Sequence, residues 1–162
     1  MNIEYREPTK YEMNEMNYGE LASLVEQAWR HIEDVVKDTI GSEFELNFRG
    51  LRYEDYVLVA YDMDEEEFAG FVMLKDFRDS RKRFVFLDNL YVKCEYRGHG
   101  IGGELVRRAV SVARDAGKNV ILSVLSKNDT GRKFWGKFNC LKPISTYYVV
   151  DYEAYDAEGK KC

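Results

Sequence analysis

The sequence has few of the features that mark secreted, zinc-stabilised or membrane proteins. Cysteine occurs three times, as Cys94, Cys140 and Cys162, with no Cys-x-x-Cys pair and no Cys and His spacing suited to zinc. No apolar run approaches the roughly 20 residues that cross a bilayer, and the polar N-terminal segment is unlike a signal sequence. We therefore expect a cytoplasmic protein with reduced thiols, no metal and no membrane association.

Positive charge is also scarce. Lys and Arg number 24 against 29 Asp and Glu, a formal net charge of −5. Nucleic acids are bound through concentrated basic faces, so a nucleic-acid partner is not expected. Proline occurs only at positions 8 and 143, and there is no repeat or linker. With 45% apolar residues the chain can bury one core, which predicts a single domain over residues 1–162.

Hydrophobic spacing predicts alternating strands and helices. The expected strands are residues 2–7, 56–61, 68–74, 84–92, 119–125 and 147–152, and the expected helices are residues 21–40, a segment after the glycine cluster, and residues 130–138. The first helical segment is compatible with one long helix or two broken ones. Strands 56–61, 68–74 and 84–92 suit an antiparallel meander, whereas a strand, helix and strand in succession joins parallel neighbours. The expected fold class is α/β, with a mixed, mostly antiparallel sheet containing one parallel strand pair and flanked by helices.

A glycine cluster, Arg97-Gly98-His99-Gly100-Ile101-Gly102-Gly103, lies between a strand and an amphipathic helix. Unpaired amides at a helix start and the positive end of the helix dipole together make a pyrophosphate site, to which Arg97 adds a charged donor. A turn that needs positive φ explains one or two of these glycines, but less easily all four. The letters also fit the dinucleotide pattern G-x-G-x-x-G, yet residues 119–125 lack the acidic residue that would hold a ribose. An anionic cofactor other than NAD is favoured.

The segment LDNLYVKCEYRGHGIGGELV, residues 87–106, resembles the signature of the GCN5-related N-acetyltransferases (GNAT). It combines a strand ending in an apolar-x-Val unit with R-x-x-G-x-G at Arg97, Gly100 and Gly102. The element order also matches that fold over nearly the whole chain, with the parallel strand pair splayed to leave a cleft. The resemblance implies acetyl-CoA as cosubstrate. The residues that it implies for cofactor binding are Leu90, Tyr91, Val92, Arg97, Gly98, His99, Gly100, Ile101, Gly102, Gly103, Asn128 and Trp135.

The C-terminal half of the family pattern is altered. Phe134-Trp135 stands where Phe-Tyr is usual, and Asn139-Cys140 stands where Gly-Phe is usual. The family tyrosine commonly protonates the departing thiolate, a step that an indole N–H cannot perform. Tyr147, Tyr148 or solvent is the expected proton source, and only one of the two tyrosines can face the cleft. Trp135 either packs beside the cofactor or belongs to the core.

Asp88 is the expected general base for the attacking amine. Burial among Phe86, Leu87 and Leu90 is expected to raise its pKa. The alternative is an aspartate that caps a β-bulge through nearby backbone amides. By resemblance, a backbone N–H near Tyr91 or Val92 polarises the thioester carbonyl.

The predicted function is direct transfer of the acetyl group from acetyl-CoA to a primary amine, within a ternary complex. The acceptor is a small molecule or a protein, and the acidic, aromatic segments 29–41 and 147–155 weakly favour a cationic one. The alternative is a non-catalytic acyl-CoA-binding sensor or regulatory subunit, which the altered residues Trp135, Asn139 and Cys140 suggest. Family members often dimerise, although nothing in this sequence indicates a homodimer.

Overall fold

One five-stranded sheet organises the chain, and the computed structural model describes residues 1–14, 19–40 and 54–143 of it. The elements are β1 (Ile3–Arg6), α1 (Lys10–Asn14), α2 (Glu20–Ile40), β2 (Tyr56–Asp62), β3 (Glu67–Lys75), β4 (Phe84–Val92), a 3₁₀ turn (Cys94–Tyr96), α3 (Ile101–Asp115), β5 (Asn119–Leu122) and α4 (Asp129–Trp135). The strands lie in the order β1-β2-β3-β4-β5, with antiparallel pairing except between β4 and β5, which are parallel. The predicted mixed α/β fold is confirmed, while the strand expected at 147–152 lies outside the described residues.

The sheet separates two apolar clusters, one on the face that α2 covers and one on the face that α3 covers. We call these the α2 face and the α3 face. The α2 face packs Leu21, Leu24, Val25 and Ala28 against Val57, Val59, Phe71 and Met73. The α3 face packs Ile101, Leu105, Val106 and Ala109 against Leu58, Val72, Leu74, Val85 and Leu87. Strands β2 and β3 are apolar almost throughout because both of their faces are buried.

Helix α1 was not predicted from the sequence, although a local signal for it is present. Thr9 Oγ1 accepts a hydrogen bond from the Glu12 amide at 3.2 Å, and Glu12 Oε2 accepts one from the Thr9 amide at 2.6 Å, which is a capping box. Arg6 donates two bonds of 2.8 Å to the same carboxylate and, with the Thr9 bonds, holds the pKa of Glu12 at about 2. The short helix is thereby fixed to β1.

Helix α2 is one continuous helix of 21 residues, which settles the alternative that the sequence left open. Glu20, in its first turn, accepts a 2.8 Å hydrogen bond from the backbone N–H of Phe68 at the start of β3. Asn17, whose spacing from Glu20 in the sequence predicts a capping box, lies outside the described residues. The N-terminus of α2 is thus attached directly to the sheet.

A β-bulge interrupts β4. Met73 of β3 pairs with Asn89, but the next pair is Leu74 with Leu87, so Asp88 is an extra residue in the ladder. A bulge bends its strand and increases the local twist. The bulge anticipated at this point of the sequence is therefore present.

The parallel ladder between β4 and β5 ends at the bulge. Its last pair is Leu87 with Leu122, so β5 stops three residues short of the predicted end at residue 125. Because β4 bends away at Asp88, residues 123–125 cannot continue the ladder although their sequence suits a strand. The result is a cleft between the second half of β4 and the chain that follows β5.

Tyr96 connects the 3₁₀ turn after β4 to the β2–β3 hairpin through a hydrogen bond. Its side chain is 6% exposed, and its hydroxyl donates a 2.8 Å hydrogen bond to Glu67 Oε1. Lys93 Nζ donates a 2.7 Å bond to the other oxygen of Glu67 and lies 3.7 Å from Glu20 Oε1. The hydrogen bond from Lys93, and next the one from Tyr96, lowers the pKa of Glu67. Burial of the Tyr96 side chain is the main cause that raises the pKa of Tyr96, and its bond to the Glu67 carboxylate is the second. The turn that precedes the glycine cluster is thereby fixed.

We expect Tyr96→Phe to destabilise the protein by about 1–2 kcal/mol near neutral pH, because the hydrogen bond from the buried Tyr96 side chain to the Glu67 carboxylate is lost. A raised pKa in the folded protein contributes stability below the unfolded value of about 10, and that contribution is lost as pH rises further. The advantage of wild type should therefore shrink above about pH 10. Urea unfolding from neutral to alkaline pH measures it. Tyr61→Phe, whose hydroxyl bonds to none of the described residues, is the control, and equal losses would contradict the assignment.

Candidate active site

The glycine cluster forms the turn that opens α3. Gly98 and Gly100 have φ of 82° and 81°, a region that favours glycine, and Gly100 is the residue before the helix. The backbone N–H groups of residues 98–103 make no hydrogen bond with any described residue. Unpaired amides at the positive end of a helix dipole suit an anionic ligand. The turn has the properties that the sequence predicted for a pyrophosphate site.

Arg97 folds back onto β4. Its Nε donates a 2.9 Å hydrogen bond to the carbonyl of Val92, and its guanidinium lies 5.7 Å from the centre of the Tyr91 ring. This contact keeps the cation at the junction of β4 and the turn, where a charged donor was expected. The terminal nitrogens of an arginine held in this way remain able to donate to a ligand.

The first turns of α3 add a net positive charge beside the amides. Glu104 accepts bonds of 2.6–2.8 Å from Arg107 and one of 2.6 Å from Arg108, and these arginines hold its pKa at about 2. Two guanidinium groups thus outweigh one carboxylate. The acidic residue nearest the turn therefore does not make the site unfavourable for phosphate groups.

The other predicted residues of the turn contribute main chain more than side chain. His99 is exposed, and its Nδ1 lies 3.3 Å from the Tyr96 carbonyl. Ile101 is 2% exposed and belongs to the α3-face core. A Cβ at Gly102 would lie 3.2 Å from the Phe134 ring, whereas one at Gly103 would meet no atom within 4 Å. Gly102 thus permits the close contact between α4 and the turn.

The second half of β4 presents main-chain groups to the cleft. Lys93 donates its N–H to the carbonyl of Ala69 in β3 at 2.9 Å. Because successive residues of a strand direct their backbone groups to opposite sides, those of Tyr91 face β3, whereas those of Leu90 and Val92 face the cleft. Of the two amides considered for polarising a thioester, the amide of Val92 faces the cleft and the amide of Tyr91 does not.

Asp88 lies at the bulge but is not buried. The structure leaves it exposed, so the expectation of burial among Phe86, Leu87 and Leu90 was wrong, and the desolvation on which its chemistry was to depend is absent. Exposed and buried residues alternate along β4 from Phe84 to Asn89, and Asp88 occupies one of the exposed positions.

Asn89, beside Asp88, was missed by the sequence reasoning. It is 3% exposed, its Nδ2 lies 3.5 Å from Asp88 Oδ2, and its Oδ1 has no hydrogen-bond partner among the described residues. A buried polar group without a partner is destabilising by about 1–3 kcal/mol. A polar residue inside an otherwise apolar strand was the available signal.

Helix α4 lies against the turn and carries the other predicted cofactor residues. Asn128 Oδ1 caps the helix by accepting a 2.8 Å hydrogen bond from the Gly131 amide. Trp135 is half-buried, with its ring 5.0 Å from that of Phe134 and 5.5 Å from that of Phe138. These contacts favour the packing interpretation of Trp135. The helix ends at Trp135, before the predicted end at residue 138, and a turn at residues 136 and 137 follows it.

A side-chain contact joins the loop before α4 to helix α2. Lys127, in the loop before α4, donates from Nζ to the carbonyl of Asp38 near the end of α2.

Cys94 and Cys140 are exposed free thiols. Tyr147 and Tyr148 lie outside the described residues. Within the described ranges, no helix has the length and apolarity to cross a bilayer, and no three His, Cys, Asp or Glu side chains form a metal-binding group.

Comparison with known proteins identifies the family. A family model described as acetyltransferase (GNAT) family matches residues 20–139. Thialysine N-epsilon-acetyltransferase from Bos taurus is 43% identical over 47 residues, which are 28% of this chain and 28% of the bovine protein. The matched segment thus spans about a quarter of that relative's length.

Solved structures share the fold. The PaiA N-acetyltransferase of Thermoplasma acidophilum, in complex with coenzyme A, has a TM-score of 0.58 and 19% identity, over 85% of this chain and 88% of that chain. A ribosomal-protein-alanine N-acetyltransferase from Brucella melitensis biovar Abortus 2308 has a TM-score of 0.58 and 17% identity, over 93% of this chain and 98% of that chain. At such identities the likeness establishes architecture alone. Because the family model covers well over half of the sequence, the chain belongs to the acetyltransferase (GNAT) family.

Proposed function

We propose that this protein transfers the acetyl group of acetyl-CoA to the nitrogen of a primary amine. The observation that carries the proposal is the run of unpaired amides at residues 98–103 beside the open edge of β4. The amides and the net positive charge of the first α3 turns suit the diphosphate of coenzyme A. The cleft-facing N–H and carbonyl of Leu90 suit the amides of the pantetheine arm, which would pair with β4 as a strand does.

The proposed reaction is direct attack within a ternary complex. The amine nitrogen attacks the thioester carbonyl carbon, a C–N bond forms, the C–S bond breaks, and coenzyme A leaves as a thiolate that takes up a proton. Asp88, at the bulge, accepts the proton that the amine loses, directly or through water. The N–H of Val92 donates to the developing oxyanion. Tyr147, Tyr148 or solvent protonates the thiolate, whose ordinary pKa of about 8.5 makes it a tolerable leaving group.

The family and the names of two similar proteins support an amine acceptor. The bovine relative is named for the epsilon nitrogen of thialysine, and the Brucella protein for an alanine of a ribosomal protein. Both acceptors carry amino groups, although one is a small molecule and the other a protein. The acceptor class proposed for this chain is therefore a primary amine.

We expect Arg97→Glu to weaken acetyl-CoA binding by about 30-fold or more, because it replaces a charge-assisted donor with a negative charge beside phosphates. Calorimetric titration of acetyl-CoA measures the effect, and the affinity should fall with added salt in wild type. Arg81→Glu is the matched control, since Arg81 is 88% exposed and pairs with Asp79 in the β3–β4 loop. Equal affinities for the two variants would contradict the assigned cofactor site.

We expect Asp88→Asn to lower kcat by about 10²- to 10⁴-fold while leaving the affinity for acetyl-CoA unchanged, because the variant lacks a proton acceptor. The variant should recover rate as pH rises toward the pKa of the amine, where the substrate arrives deprotonated. Thiol release at saturating acetyl-CoA, followed across pH, measures both effects. A variant with the wild-type rate and pH profile would show that Asp88 only caps the bulge.

The alternative function is a non-catalytic acyl-CoA-binding module, and Trp135 in the tyrosine position is the observation that favours it. Thiol release is measured with aminoglycosides, polyamines, amino acids and peptides as acceptors. Tight binding of acetyl-CoA without thiol release would support this alternative. In that case Asp88→Asn would change neither binding nor turnover.

A further inference from the structure

Two phenylalanines on β4 are exposed in the middle of the sheet. Val85 and Leu87 belong to the α3-face core, so alternation along the strand places Phe84 and Phe86 on the α2 face. There they are 54% and 47% exposed, although the neighbouring α2-face residues Phe71 and Met73 are at most 3% exposed. Helix α2 therefore covers the sheet over β2 and β3 and leaves this part of β4 open.

The bulge adds a carboxylate to the same row. Asn89 lies opposite Met73 and so faces α2, and Leu87 faces α3, which assigns Asp88 to the α2 face with Phe84 and Phe86. Residues two apart on a strand are separated by about 7 Å, so the carboxylate stands about one side-chain length from the Phe86 ring. The row of Phe84, Phe86 and Asp88, all exposed, we call the acceptor row.

A cation borders the acceptor row. Lys75 pairs with Phe86 across the β3–β4 ladder and therefore lies on the α2 face beside the ring, partly exposed. A positive charge on the acceptor near Phe86 would be repelled by Lys75, whereas one at Asp88 would be attracted. The surface thus suits a ligand that is positive at one end and apolar along its length.

We infer that the preferred acceptor is a primary amine on an apolar alkyl or aryl skeleton that carries no second cation. Its amino group lies at Asp88, and its hydrocarbon lies on Phe86 and Phe84. This inference rests on the proposed function, because the acceptor row adjoins the proposed acetyl site. It narrows the acceptor class and excludes polyamines as good substrates.

The test is a comparison of acceptors that differ in one group. We expect kcat/KM for hexylamine to exceed kcat/KM for hexamethylenediamine by about tenfold or more, because the diamine brings a second cation to Lys75. It should exceed kcat/KM for methylamine by a similar factor, because methylamine has no hydrocarbon chain to bury. Thiol release at saturating acetyl-CoA gives these values. Comparable kcat/KM for the three amines would overturn the inference.

Variants separate the roles of the side chains. Phe86→Ala should lower kcat/KM for hexylamine about tenfold, mainly through KM, and leave methylamine nearly unchanged. Met63→Ala, which removes a residue 49% exposed at the tip of the β2–β3 hairpin, is the matched control and should have no effect. Lys75→Met should narrow the gap between hexylamine and the diamine. A Phe86→Ala variant that behaves like Met63→Ala would contradict the inference.

Failure of the proposed function has a different signature. If the protein binds acetyl-CoA but acetylates none of the amines, the proposed reaction fails, and binding then decides the inference. Saturation-transfer NMR of hexylamine with the coenzyme A complex should show contact that is lost in Phe86→Ala and kept in Met63→Ala. Absence of contact in wild type would overturn the inference in that case as well.

Discussion

The extra residue at Asp88 is the constraint on which the rest of the site depends. Up to Leu87 the strand β4 pairs with both neighbours, and beyond Asp88 its only partner among the described residues is β3. One inserted residue thus ends a ladder and opens a cleft, and its carboxylate lies at the edge of that cleft. None of these effects requires a loop or a separate domain, because a bulge changes the direction of a strand while its pairing on the other edge continues.

The glycine turn depends on support from outside its own sequence. Tyr96 and Lys93 fix its approach through Glu67, 29 and 26 residues away along the chain, and Phe134 contacts it at Gly102. The amides themselves bond to no residue in the described ranges, while the residues around them are held in place. Such preorganisation lets a helix start bind an anion without first ordering the backbone.

Local patterns predicted most of the fold. The strand at 84–92 was predicted to the residue, since its apolar run is bounded by charged residues, and the glycine turn was recognised from its letters. The end of β5 was not predictable, because residues 123–125 have strand-like side chains and only the bend of β4 removes their partner. The short α1 was missed although Thr9 and Glu12 spell a capping box.

The site was predicted less completely than the fold, because the directions of its side chains depend on pairing between strands. The position of Asn89 on the α2 face follows from a one-residue shift in register, which reverses the face of every side chain after Asp88. The hydrogen bond from Tyr96 to Glu67 joins distant segments, and no periodic pattern in the sequence predicts it. Residue types indicated the chemistry, whereas the directions of the side chains came from tertiary pairing.

The bond from Arg97 to the Val92 carbonyl has a consequence for solubility as well. A strand that loses its neighbour presents unpaired backbone groups, and such an edge is a template on which a foreign chain can add a strand and start aggregation. Arg97 occupies the last carbonyl of that edge with a charged side chain, which shortens the template and places a cation at its end. The side chain that borders the glycine turn is thus also of the kind that natural sheets use to disfavour strand addition at an edge.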